Sequence, residues 1–116
     1  MYRREGKPAI FLVAGYTDFR CGINGLLRKL TEVTGVDPKA NALFVFMPKR
    51  KKSLKMIYWG GSGYWLLQYR LEEGHFKWIK EAGIRNISYK QMEWLLDGLS
   101  IDQKNFIPEY KIPQSS

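Results

Sequence analysis

Apolar and polar positions alternate most regularly between Leu43 and Leu71. Three runs rich in Val, Ile, Phe, Tyr and Trp lie there, separated by Pro48-Lys49-Arg50-Lys51-Lys52 and by Gly60-Gly61-Ser62-Gly63. Strand-forming runs punctuated by Pro and Gly predict an antiparallel meander. If residues 60 to 63 form the loop, Trp59 faces Tyr64, Tyr58 faces Trp65, Met56 faces Leu67 and Leu54 faces Tyr69. Because successive side chains alternate faces, Leu54, Met56, Tyr58, Trp65, Leu67, Tyr69 and Leu71 then share one side. Closing the basic turn the same way adds Leu43, Val45 and Met47. Closing Glu72-Glu73-Gly74-His75 as a third turn adds Phe76 and Trp78 from a fourth strand. A slip of one residue would destroy this agreement, so the shared face is predicted to be core.

The opposite face carries Phe44, Phe46, Lys55, Ile57, Trp59, Tyr64, Leu66, Gln68, Arg70 and Lys77. Exposed apolar patches usually stay small, so the ordinary expectation is a helix over its apolar half with the charges at the fringe. The functional alternative is an aromatic and basic binding surface.

Around the meander, Ala9 to Ala14 predicts a strand leaving at Gly15, and Thr17 or Asp18 can cap a following helix. Ile23, Leu26, Leu27, Leu30 and Val33 recur at helical spacing to about Thr34, and Gly35 closes the helix. A short extended piece fits Gly83 to Ile87. Ser88 and Gln91 form a capping-box pair ahead of Met92, Leu95, Leu96 and Leu99, and Gly98 marks the end of that second helix. Residues 1–8 read as a basic arm, 9–102 as a single domain and 103–116 as a polar, poorly ordered tail. The fold class is α+β, a mainly antiparallel sheet of about four or five strands with two packed helices.

Charge changes this picture more than size does. The 116 residues hold 19 Lys and Arg against 11 Asp and Glu, a net charge of +8. That balance favours polyanionic partners, nucleic acid first. No apolar run approaches the roughly 20 residues a membrane span needs, so a cytoplasmic location without membrane contact is expected. The single Cys21 leaves no internal disulfide and no cysteine-based metal site. The single His75 sits in a turn, and the carboxylates are scattered. No catalytic constellation, metal site or cofactor motif emerges, so the chain reads as no enzyme. Gly60 to Gly63 lacks the following lysine and helix of a phosphate-binding loop.

The basic turn is the strongest local signal. A hairpin tip carrying Lys49, Arg50, Lys51 and Lys52 can reach DNA phosphates, the main source of non-specific affinity; its alternative role is a solubilising charge run beside sticky strands.

Four ordered stretches carry a family resemblance. Asp18-Phe19-Arg20-Cys21-Gly22 is similar to an Asp-Met-Arg-Lys-Gly segment, with Gly25-Leu26 following. Leu43-Phe44-Val45-Phe46 leads through the basic turn into Leu54-Lys55-Met56-Ile57-Tyr58-Trp59. Tyr69-Arg70-Leu71-Glu72-Glu73-Gly74-His75-Phe76-Lys77-Trp78 is similar to Lys-Arg-Leu-Glu-x-Gly-x-Phe-x-Trp, and Leu95-Leu96-Asp97-Gly98-Leu99 to Leu-Leu-Glu-Gly-Ile. Over about residues 10 to 102 the chain resembles the small TnpB-type accessory proteins, the second open reading frame products, of the bacterial insertion-sequence sixty-six family. Gly60 departs from an aspartate common after the tryptophan, and lysines replace much of an arginine-rich turn. Lysine keeps phosphate attraction but not bidentate reading of guanine edges.

The resemblance implies a role in transposition beside a separate transposase that supplies the cutting and joining chemistry. On this reading Lys49, Arg50, Lys51, Lys52 and Lys55 grip DNA at the element ends, with Arg20, Arg70 and Lys77 as weaker candidates. Trp59 and Tyr64 stack on bases or line a protein contact. The alternative is a module that docks on the transposase, or on itself, through Phe44, Phe46, Trp59 and Tyr64.

Overall fold

A computed structural model describes residues 6–103. The basic arm expected at residues 1–8 and the tail expected at 103–116 therefore lie largely outside the described residues. Five strands form one sheet: β1 (Ala9–Tyr16), β2 (Ala42–Met47), β3 (Ser53–Trp59), β4 (Tyr64–Arg70) and β5 (Ile84–Ile87). They lie in the order β4-β3-β2-β1-β5. Two helices join them, α1 (Gly22–Thr34) between β1 and β2, and α2 (Tyr89–Leu96) after β5. The fold is α+β. No helix among the described residues is long and apolar enough to cross a membrane.

The meander register is the one the alternation predicts. Trp59 pairs with Tyr64, Tyr58 with Trp65, Met56 with Leu67 and Leu54 with Tyr69. Leu43 pairs with Tyr58 and Val45 with Met56. β1 pairs with β2 in parallel, because the connection through α1 returns the chain to the same end of the sheet. β5 closes the other edge, antiparallel to β1.

Period-2 alternation divides the core into two. On one face Ile10, Leu12, Val45, Met47, Leu54 and Met56 pack with Met92 and Leu95 of α2. On the other, Val13, Phe44, Phe46 and Ile57 pack with Leu26 and Leu30 of α1. The sheet is thus sandwiched between two helices, and the helix expected over the aromatic and basic face is α1.

Three expectations fail, each for a physical reason. The fourth meander strand at Phe76 to Trp78 does not form. The Phe76 amide donates to Lys51 O at 2.7 Å, which draws the segment beneath the sheet instead of along β4. Phe76 still reaches the core at 2% exposure, with Trp78 packed against it.

Trp65, Leu67 and Tyr69, assigned to the core face, are 46%, 37% and 41% exposed. Met92 and Leu95 of α2 pack with buried residues of β1, β2 and β3, and no β4 side chain joins that cluster. That helix therefore leaves β4 uncovered. Finally, Gly15 does not end the first strand. β1 continues to Tyr16 with a shift of register after Leu12, and Gly15 takes φ 80° there, a conformation a side chain disfavours.

Capping follows the sequence closely. Ser88 accepts from the Gln91 amide at 3.0 Å, and the Gln91 side chain accepts from the Ser88 amide at 2.8 Å. Ser88→Ala is expected to cost about 1 kcal/mol, lowering the melting temperature by about 4–8 °C, as thermal circular dichroism would record. Asp18 caps a short 3-10 turn, Phe19–Cys21, which precedes α1.

Candidate nucleic-acid interface

The turn between β2 and β3 is held from beneath. Lys51 donates its amide to Pro48 O at 3.1 Å, while Lys52 O accepts from Leu71 and Lys51 O from Phe76. Lys51 is the only non-glycine residue described with positive φ, at 59°. Bonds to β4's exit and to the Phe76 segment therefore fix a backbone shape that lysine does not favour. A charged hairpin tip anchored in this way presents its side chains from a rigid base.

Sheet topology gathers most of the predicted cations at this one end. Lys49 and Arg50 are exposed, and Lys51 and Lys52 half-buried. Lys55 lies two residues into β3, and Arg70 is paired opposite Ser53 at the start of the same strand. Lys77 joins Arg50 and Lys51 around an open cleft of about 690 Å³, together with His75, Phe76 and Trp78. The cleft, and the place of His75 in it, are not visible from the sequence. They depend on the Phe76–Lys51 hydrogen bond, which folds the segment after β4 back against the turn.

Aromatic rings seat several of the ammonium groups. Lys51 Nζ lies 5.6 Å from the Tyr16 ring centre, and Lys55 Nζ lies 5.0 Å from that of Phe19. Tyr16, 48% exposed, is a neighbour that strand-and-turn reasoning missed, since the extension of β1 past Gly15 brings it there.

Arg20 stands differently from the rest. Its guanidinium grips Asp18 at two points, Nε to Oδ1 at 3.0 Å and Nη2 to Oδ2 at 2.8 Å. These hydrogen bonds hold the Asp18 carboxyl down at about 2. A carboxyl lowered in the fold contributes stability above its ordinary value near 3.8 and loses it as pH falls through about 2. The pair should therefore stay intact from pH 5 upward, and an NMR titration of Asp18 should show no inflection above pH 3. Since its charge is compensated by Asp18, Arg20 is a poorer phosphate ligand than the turn lysines.

The aromatic candidates do not join this site. Phe44 and Phe46 are 0% exposed beneath α1, so neither ring can touch a partner; that helix closes the half of the mixed face on which they and Ile57 lie. Trp59 and Tyr64 are half-buried and pack edge to face at 4.9 Å. They flank the Gly60–Gly63 loop, and successive turns of an antiparallel meander fall at opposite ends of the sheet. About 20 Å of β3 thus separates them from the basic turn. Burial, and secondarily the Asp37 carboxylate, push the Tyr64 phenol up. A nearby carboxylate is unfavourable for a phosphate backbone, whereas Lys39 covers Trp59 at 4.8 Å.

Comparison with known proteins adds a family to this geometry. The family described as "IS66 Orf2 like protein" matches residues 8–106. Among curated proteins, the chain is 36% identical over 91 residues to "Uncharacterized protein y4hO" of Sinorhizobium fredii, covering 78% of this chain and 79% of that protein. It is 38% identical over 84 residues to "Uncharacterized protein y4jC" of the same organism, covering 71% of each. No solved structure shows a significant match.

Proposed function

The chain belongs to the IS66 Orf2-like family, the accessory proteins of an insertion sequence, and from that premise we propose that it acts by binding DNA through the basic end of its sheet. The observation that carries this reading is the gathering of Lys49, Arg50, Lys51, Lys52, Lys55, Arg70 and Lys77 around one anchored turn and its cleft. Lysine ammonium groups on a rigid tip attract phosphates without reading bases. The binding is therefore electrostatic and largely insensitive to sequence. Any preference for element ends comes from DNA shape or from the transposase.

The chain performs no chemistry of its own in this reading; a separate transposase cuts and joins. The alternative is docking on that transposase, or self-association, through Phe44, Phe46, Trp59 and Tyr64 without direct DNA contact. It is weakened by the burial of Phe44 and Phe46 and keeps only Trp59 and Tyr64.

Binding of the purified protein to a labelled insertion-element end and to a scrambled duplex, each with and without transposase, tests the proposal. Comparable, salt-sensitive binding to both duplexes without transposase is the expected result. Absence of binding at low salt, with a transposase complex that survives nuclease, would overturn it.

A further inference from the structure

Among the described residues β4 is the end strand of the sheet, with no strand on its outer edge. Leu71 donates to Lys52 O, and Gly60 donates to Gly63 O. With the β3–β4 register, these bonds assign Trp65, Leu67, Tyr69 and Leu71 to the positions whose backbone groups face β3. The amides and carbonyls of Tyr64, Leu66, Gln68 and Arg70 therefore point outward. The strand has no proline, no lysine and no register shift, the usual devices that blunt an exposed edge. Its side chains on the face toward α2 are Trp65, Leu67 and Tyr69, and Leu66 adds an apolar side chain beside Gln68 and Arg70 on the other; these four apolar residues are each between 37% and 46% exposed.

We propose that a second copy of this chain occupies that edge, β4 pairing antiparallel with β4 across a two-fold axis at Leu67. Pairing about that centre brings all seven residues from Tyr64 to Arg70 into register and matches the apolar residues of the face toward α2 with one another. All four outward-facing residues fall into hydrogen-bonded pairs, Tyr64 with Arg70 and Leu66 with Gln68, each occurring twice. On the face toward α2, Trp65 lies opposite Tyr69 of the second copy, and Leu67 lies opposite its own counterpart. Aromatic cross-strand pairs of this kind are favourable.

Charge permits the match. Arg70 is the strand's one charge, it faces a tyrosine ring, and the two Arg70 residues stand about 20 Å apart, beyond the screening length of about 8 Å.

The chain's own residues 104–116 are poorer candidates. Pro108 and Pro113 can sit in an added strand only where their missing amides would face solvent, a restriction that a second β4 does not carry. Pairing of two β4 strands would yield a ten-stranded sheet with the two basic turns at opposite ends.

Sedimentation of the full chain over micromolar to submillimolar concentrations reads this directly. A one-strand interface sits at the low end of stable interfaces, so a concentration-dependent rise from 13.6 kDa to twice that mass is expected. Gln68→Pro removes an outward amide while leaving the β3 ladder intact, and should remain folded and monomeric. Leu67→Cys, combined with Cys21→Ser, should oxidise to a covalent dimer, because directly opposed non-hydrogen-bonded positions lie about 4.5 Å apart. Leu66→Cys in the same background should crosslink far less. A monomer throughout the range, a folded Gln68→Pro dimer, or equal crosslinking at residues 66 and 67 would each overturn the proposal.

Discussion

Replacing the four cations of the turn together, as Lys49→Gln, Arg50→Gln, Lys51→Asn and Lys52→Gln, is expected to weaken duplex binding on the order of a hundredfold or more at low salt. It should also flatten the log-log salt dependence by about 4, since each phosphate neutralised contributes about 0.9 to that slope. The loss should be equal for element ends and scrambled DNA, because these side chains touch the backbone rather than base edges. Asparagine is chosen at position 51 because φ there is 59°, a conformation it tolerates better than most residues. None of the four contributes to either core cluster, so the melting temperature should barely move. Fluorescence anisotropy across a salt series, with a thermal melt on the same sample, separates lost binding from lost folding.

Phe44→Ala should do the opposite. Phe44 is fully buried, and its ring stacks on Phe11 with centroids 5.9 Å apart. Removing a buried phenylalanine costs about 3–5 kcal/mol through lost transfer energy and the cavity left behind. Domains of this size hold only about 5–15 kcal/mol in total, so a fall of some 15–30 °C in melting temperature is expected. DNA affinity measured well below that temperature should be unchanged. If Phe44 instead served a partner, its loss would appear in binding with the melting curve preserved. Thermal denaturation of the variant decides between the two.

The contrast between these residues shows what the sequence could tell. The register from Leu43 to Tyr69 was legible because the period of two excludes any one-residue slip that would take Leu54, Met56, Val45 or Leu67 off the shared side, and the turn lengths select among the alignments that remain. The Ser88–Gln91 box and the helix closing before Gly35 were legible for a similar reason, since capping is local chemistry.

How far each helix covers its face was not legible. Phe44 was read on the mixed face and Trp65 on the core face, yet α1 buries the first, while the second lies outside the cluster that α2 closes. The cleft was hidden for a different reason. His75 and Lys77 reach Arg50 only because the Phe76 amide bonds to Lys51 O, a tertiary event that no local pattern signals. Pairing was visible within the meander, but the segment after it had two strand edges to choose from. Among the described residues it left the outer edge of β4 unpaired, and β5 paired with β1.

The most direct test of the account is to locate DNA on the protein. Titrating a short duplex into isotopically labelled protein should shift amide resonances of residues 49–55, 70 and 75–78, at the end of the sheet where the turn and cleft lie. Shifts concentrated there, and fading as salt is raised, are the predicted result. Shifts gathered instead around Trp59, Gly60–Gly63 and Tyr64, at the far end of the same strands, would contradict it.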